Sequence, residues 1–311
     1  MVLQIFLLLV GLALIVFGAD WLVDGASAIA RKAGISEFVI GLTIVGFGTS
    51  CPELVVSLTG ALQGSADISV GNVIGSNIFN TLLILGLTAV IAPVAVTRAN
   101  SHRDIPIALM VTFLFVIIAL TGTQINCLEG IIFLLIFVAY MIYCFKSDAG
   151  APVGEAETKE RSVGMAILLV AAGLGGLIFG GQLFVDNATA IARAIGVSDK
   201  FIAITLLAGG TSLPELATCL VAAAKKKDQL ALGNVLGSNV FNILLILGIS
   251  ATVVPLSTAS ITLVDLGVVL LSAVLVWLWT YTGRRDRIDR WEGIVMLLSF
   301  VAYYIWLFIK L

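Results

Sequence analysis

Ionisable and thiol chemistry is scarce in this chain. Charged residues fill 12% of its 311 positions, histidine occurs once, as His102, and the four cysteines, Cys51, Cys127, Cys144 and Cys219, are scattered. One imidazole in an expected loop and thiols without paired spacing exclude a transition-metal centre and a disulfide framework, so the cysteines read as packing residues. The hydroxyl-rich segments have no histidine or lysine base beside them and no metalloprotease motif is present, which argues against an intramembrane enzyme. A net charge of −2 with 17 Lys and Arg residues offers no basic surface for nucleic acid. Apolar residues, by contrast, make up 60% of the chain, where a soluble domain has roughly 45–50%. The composition is that of a multi-pass membrane protein.

Long apolar stretches separated by short polar punctuation predict an all-α fold of ten transmembrane helices near 3–30, 36–62, 68–92, 105–122, 126–145, 163–191, 198–223, 229–253, 261–282 and 290–309. No basic residue precedes residues 3–17 and no small-residue cleavage pattern follows them, so this stretch reads as part of a span rather than a signal peptide. The polar segment 146–162 divides the chain into a first five-helix half, 1–145, and a second, 163–311. Fourteen of the 17 Lys and Arg residues, among them Arg31, Arg103, Lys146 and Lys225 to Lys227, fall on one side of such a topology, against Arg193, Lys200 and Lys310 on the other. Basic loops stay cytoplasmic, which puts the 146–162 linker inside a cell membrane and both termini outside, extracellular or periplasmic. Lys225 to Lys227 then read as an orientation determinant at the lipid surface, and the tryptophans at 277, 279, 291 and 306 mainly as interface anchors.

The halves repeat each other. A cassette at 36–93 aligns without gaps with one at 198–255, at a constant offset of 162 and with 26 identities in 58 positions. Its core is Gly48-Thr49-Ser50-Cys51-Pro52-Glu53 against Gly210-Thr211-Ser212-Leu213-Pro214-Glu215, followed by Gly75-Ser76-Asn77 against Gly237-Ser238-Asn239. Outside the cassettes Asp24 matches Asp186, Arg31 matches Arg193 and Gly34 matches Gly196. Five spans per half, an odd number, would make the repeats cross the membrane in opposite directions, with a pseudo-twofold axis in the membrane plane where the two glutamates meet.

Gly46, Thr49, Ser50 and Glu53 are three and four residues apart and share a helical face, as do Ala208, Thr211, Ser212 and Glu215. Pro52 and Pro214 each remove a helical hydrogen bond and free a carbonyl in the preceding turn. Ser76 and Asn80, like Ser238 and Asn242, lie four apart and face one way. Two carboxylates among hydroxyl, amide and carbonyl oxygens suit a hard cation such as Ca²⁺. Small residues and hydroxyls also serve simply to pack membrane helices, but a glutamate in each equivalent helix at membrane depth marks an ion pathway. Asp20, Asp24, Asp186 and Asp265 sit toward span ends, where structural or interfacial roles suffice.

At these motifs the sequence resembles the cation/Ca²⁺ antiporter superfamily, most closely its prokaryotic Na⁺/Ca²⁺ exchangers, over nearly the whole chain. The resemblance implies a diamond of four cation sites between two inverted repeats, with Ca²⁺ and Na⁺ as the transported ions and no resident cofactor. Carried over by position, Glu53 and Glu215 would bridge a central Ca²⁺, with the carbonyls of Thr49 and Thr211 as further ligands. Gly46, Ser50 and Ser76 would serve an outer Na⁺ site toward one side and Ala208, Ser212 and Ser238 one toward the other, while Asn80 and Asn242 would line the middle. Several relatives carry aspartate where this chain has Asn242, which leaves Na⁺ stoichiometry and K⁺ dependence open, and Cys51 replaces the usual leucine at an apolar, outward-facing position. Gly-Thr-Ser before the glutamate, rather than Gly-Asn, argues against the proton-coupled Ca²⁺ branch.

The expected activity is therefore Ca²⁺/Na⁺ antiport by alternating access, with Ca²⁺/H⁺ exchange, K⁺-dependent exchange and a passive cation channel as alternatives. The bilayer and the two ions are its only evident partners, with no obligatory protein partner. The first and sixth spans resemble the pair that slides across the core in this family, with Gly11, Gly18, Gly173, Gly175, Gly176, Gly180 and Gly181 giving a smooth sliding surface. Topology is directly testable: epitope tags at both termini should be reachable from outside intact cells, and labelling only after the cytoplasmic face is exposed would reverse the assignment.

Overall fold

The computed structural model describes residues 1–64, 66–148, 162–196, 208–283 and 286–310. Most of the expected linker (149–161), the start of the expected 198–223 span (198–207), and the basic residues Lys159, Arg161, Lys200, Arg284 and Arg285 lie outside the described residues.

The described chain is almost wholly helical: α1 Val2–Ala33, α2 Glu37–Thr49, α3 Cys51–Leu62, α4 Ile68–Ile91, α5 Asn100–Thr121, α6 Cys127–Asp148, α7 Val163–Ala194, α8 Leu213–Ala224, α9 Asp228–Val253, α10 Leu263–Trp279 and α11 Arg290–Lys310. Seven of these are long and apolar enough to cross a membrane, and α2 with α3 makes an eighth, bent span. The expected segments 198–223 and 261–282 meet the described residues as the shorter apolar helices α8 and α10, of 12 and 17 residues. Gly34 and Gly196, at equivalent positions, follow α1 and α7 with φ of 67° and 86°, a left-handed conformation that glycine adopts without steric cost. Ser36 and Ser162 cap α2 and α7 by accepting from Val39 N and Met165 N, each at 3.2 Å.

Burial orders the helices. The apolar window of α9 is 89% buried and that of α4 72%, whereas those of α1, α6 and α11 are 22% buried. The repeat cassettes thus form the centre, and the other long helices give their apolar surface to lipid. Two short antiparallel pairs tie the halves together outside the helices, Val94–Ala95 with Arg287–Ile288 and Gln124–Ile125 with Leu256–Ser257.

Several side chains depart from the sequence reading. His102 lies in a π-helical turn, Asn100–Asp104, because Thr97 and Asn100 hydrogen-bond each other's backbone and side chains and start α5 early. Lys225 and Lys227 are not merely a lipid-surface patch: they pair with Asp20 and Asp24, and with Glu37, across the halves. Asp265 forms a capping box with Thr262 and accepts from Tyr303 Oη at 2.7 Å, a structural role. Trp279 is buried edge-on against Trp291 rather than anchored at an interface. Cys144 and Cys219 are packing residues, whereas Cys127 is exposed and Cys51 lines a cavity.

The glycines of α1 and α7 also act differently from expectation. A Cβ at Gly18 would stand 2.8 Å from Gly173 O and Leu177 N, and one at Gly180 would stand 2.9 Å from Gly11 O. Gly11, Gly18, Gly173, Gly176 and Gly180 thus let α1 and α7 pack backbone to backbone as one pair, instead of smoothing a face toward the core. Gly175 and Gly181 have open space around the Cβ position. Gly173→Ala should therefore cost about 1–3 kcal/mol by overpacking, read as a lower Tm of the detergent-solubilised protein. Gly175→Ala should leave Tm unchanged, and equal losses would contradict the assignment.

Candidate functional site

The site begins with two broken helices. The break between α2 and α3 bends the span by 45° at Ser50, whose φ and ψ are −84° and 4°. Pro52 has no N–H for the carbonyl four residues back, and the π-helical turn Gly41–Val45 has already loosened the ladder upstream. In the second half a helical turn, Ala208–Gly210, meets α8 at Ser212 with φ −89° and ψ 7°, ahead of Pro214. Both breaks put a glutamate in the first turn of the following helix, where unpaired N–H groups and the helix dipole favour negative charge.

Glycines bring the cassettes into backbone contact. A Cβ on Gly41 would fall on the backbone of Leu230, one on Gly233 on Phe38 and one on Gly237 on Leu42, so α2 and α9 can meet only without those side chains. Gly46 lies less tightly against α9, where a Cβ would stand 3.2 Å from Ser238 N.

At the centre the halves interlock reciprocally. Ser50 Oγ donates to Glu215 Oε1 at 3.1 Å, and Ser212 Oγ donates to Glu53 Oε1 at 3.2 Å. Both glutamates are fully buried. Among the described residues neither carboxylate has a Lys or Arg partner, and no three His, Cys, Asp or Glu side chains converge. A cation held here would rest on two carboxylates and otherwise neutral oxygens.

The other residues singled out by sequence lie around this pair. Thr49 is buried and its hydroxyl reaches Val45 O at 3.1 Å and Asn234 Oδ1 at 3.2 Å. Ser238 Oγ stands 3.5 Å from both Gly46 O and Glu215 Oε1, so Gly46 meets the serine of the opposite half, whereas Ser76 Oγ has no hydrogen bond. Asn80 and Asn242 occupy equivalent π-helical turns, Phe79–Leu85 and Phe241–Leu247, a distortion frequent at functional sites. The backbone of Ala208 opens the turn before Ser212.

Buried polar atoms are normally hydrogen-bonded. Here Glu53 Oε2, Glu215 Oε2, Ser76 Oγ, Asn80 Oδ1, Thr211 Oγ1 and Asn242 Oδ1 are all buried without a hydrogen-bond partner. Buried oxygens with no protein donor are the kind of ligand a hard cation takes.

Six polar residues of this network lay inside the repeated motifs or beside them without being singled out. Asn242 Nδ2 donates to Asn77 Oδ1 at 2.9 Å, Asn77 Nδ2 to Asn239 O at 3.2 Å, and Asn239 Nδ2 to Thr81 Oγ1 at 2.7 Å, joining the two π-helical segments. Asn72 Nδ2 donates to Ser57 Oγ at 3.0 Å and Glu53 O at 3.3 Å, while its counterpart Asn234 receives Thr49. For four of them the signal was identity across the repeat, since Asn72, Asn77, Asn234 and Asn239 are shared by both cassettes; Ser57 and Thr81 align with Cys219 and Ile243 and carried no such signal.

A cavity of about 560 Å³ reaches toward this centre between α3 and α7, lined by Cys51, Pro52, Val55, Gln182, Val185 and Asp186, among others. A multi-pass helical protein with such an interior has the build of a membrane transporter. Residues 3–146 and 165–309 match the family model described as sodium/calcium exchanger protein, and the chain belongs to that family. CaxA of Alkalimonas amylolytica is 39% identical over 310 residues, 96% of this chain and 97% of CaxA. The sodium/calcium exchanger MaX1 of Methanosarcina acetivorans is 34% identical, with 97% of each chain covered. The solved structure of the sodium-calcium exchanger NCX_Mj soaked with zero Na⁺ and Ca²⁺ superposes with a TM-score of 0.88 at 34% identity, covering 98% of this chain and 99% of that one.

Proposed function

We propose that the chain is a secondary antiporter that exchanges Ca²⁺ for Na⁺ by alternating access at a mid-membrane site built on Glu53 and Glu215. The observation that carries this reading is the reciprocal pairing of Ser50 with Glu215 and Ser212 with Glu53 at 3.1 and 3.2 Å. The two carboxylates lie on one cross-linked centre, where bound cations would compete. Family membership and the likeness to MaX1 and NCX_Mj support Na⁺ and Ca²⁺ as the ions.

In this reading ten spans form two inverted five-helix repeats, 1–145 and 163–311, joined by a cytoplasmic linker, with both termini outside. Thr49, Thr211, Asn80 and Asn242 contribute to the central site; Gly46, Ser50, Ser76, Ala208, Ser212 and Ser238 to the flanking ones. Two carboxylates neutralise one Ca²⁺ and leave one positive charge over if three Na⁺ bind. That difference leaves the Na⁺ stoichiometry open; because both ions draw on the same two carboxylates they compete for the centre, and the switch between openings runs through occupied states only. The α1–α7 pair, packed through its glycines, moves as a unit against the cassettes. An opening beside α7 with close packing at the equivalent end of α1 favours a carrier over a channel open to both sides.

The test is ⁴⁵Ca²⁺ uptake into proteoliposomes loaded with Na⁺, with K⁺-loaded and pH-gradient controls. Uptake should require the outward Na⁺ gradient. Glu53→Gln and Glu215→Gln should each weaken apparent Ca²⁺ affinity by about a hundredfold or more, the cost of removing one charge from a buried set. Uptake that follows the proton gradient would make the protein a Ca²⁺/H⁺ exchanger; flux indifferent to every gradient would make it a channel.

A further inference from the structure

The two ends of the molecule differ where the repeat relates them. At one end Gln182, Val185 and Asp186 of α7 face Cys51, Pro52 and Val55 of α3 across the 560 Å³ cavity. At the offset of 162 their counterparts on α1 are Asp20, Val23 and Asp24. There α1 lies against α8, and Val23 is fully buried. Lys225, the residue that ends α8, places its Nζ 2.6 Å from Asp20 Oδ1, 2.6 Å from Asp24 Oδ1 and 3.3 Å from Asp20 O. The open end cannot copy this contact: the counterpart of Lys225 is Gln63 and that of Asp20 is Gln182. A second bond follows the same asymmetry. Thr49 Oγ1 meets Asn234 at 3.2 Å toward the sealed end, whereas Thr211 Oγ1 has no hydrogen bond and Asn72 lines the cavity.

We propose that Lys225, with Asp20 and Asp24, is a one-sided ionic latch that sets the resting direction of the carrier. It ties α1 to α8 and stabilises the state sealed at its own end, so it must break before the α1–α7 pair can open that end. The proposal rests on the alternating-access reading. Its side chains are 29%, 46% and 26% exposed, so water and salt keep the contact weak enough to break in each cycle, and two acceptors on one lysine hold it in a single geometry. Having no counterpart among Gln63, Gln182 and Asp186, it makes two otherwise related states unequal in energy.

The test reads both ends with a membrane-impermeant maleimide in detergent-solubilised full-length protein. Native Cys51 reports the open end in a Cys127→Ser background; Val23→Cys, with Cys51 and Cys127 both changed to Ser, reports the sealed end. Lys225→Ala, or Asp20→Asn with Asp24→Asn, should raise the labelling rate at position 23 by about fivefold without raising it at Cys51. Lys225→Arg should restore the parental rate, and added salt should raise labelling at position 23 in the parent but not in Lys225→Ala. An unchanged rate at position 23, or an equal rise at both positions from general loosening, would overturn the latch. ⁴⁵Ca²⁺ exchange by the same proteins separates the two claims. A parent without exchange defeats the antiporter reading, while the two labelling rates still report the latch.

Discussion

A carboxylate in the hydrocarbon of a membrane is costly unless something positive answers it, and this chain buries two with no basic side chain paired to either among the described residues. The rest of the architecture follows from making that bearable. Each glutamate sits in the first turn of a helix broken by proline, takes a hydroxyl from the opposite half and keeps one oxygen unpaired. Helix dipoles and serines offset part of the cost, and in the proposed reading a mobile cation offsets the remainder. A permanent lysine partner would satisfy the charge and abolish the ion's reason to bind.

The same requirement explains the backbone. Close approach of α2 and α9 is possible only because Gly41, Gly233 and Gly237 lack side chains, and π-helical turns aim Asn80 and Asn242 from α4 and α9. Irregular backbone of this kind is tolerated at membrane depth because it is enclosed by protein. The lipid-facing helices α1 and α7 are regular, 32 residues each, and bound to one another through glycine. A distorted centre thus sits inside a regular shell, which suits the proposed division between a binding centre and a moving helix pair.

Much of this was legible in the sequence because duplication amplifies weak signals. One Gly-Thr-Ser-x-Pro-Glu motif reads as packing; two at a fixed offset, each with a glutamate in an apolar stretch, point instead to an ion pathway. The broken helices were readable from Pro52 and Pro214, and the buried serines and asparagines from their spacing. The π-helical turns were not readable, since a single wide turn changes no residue pattern. Pairing across the halves was hidden for another reason: sequence offset relates equivalent residues, whereas most of these contacts, Asn77 with Asn239 excepted, join non-equivalent ones, such as Ser238 with Gly46 and Lys225 with Asp24. The Lys225 cluster looked like an orientation signal because hydropathy registers charge without its partner.

The central claim is that Glu53 and Glu215 hold one cation between them. It is tested most directly by diffraction from crystals soaked in Sr²⁺, whose anomalous scattering marks the bound ion. The account predicts a central peak within coordination distance of both carboxylates, lost when either glutamate is replaced by glutamine. A peak held by one glutamate alone, or one that survives both substitutions, would contradict it.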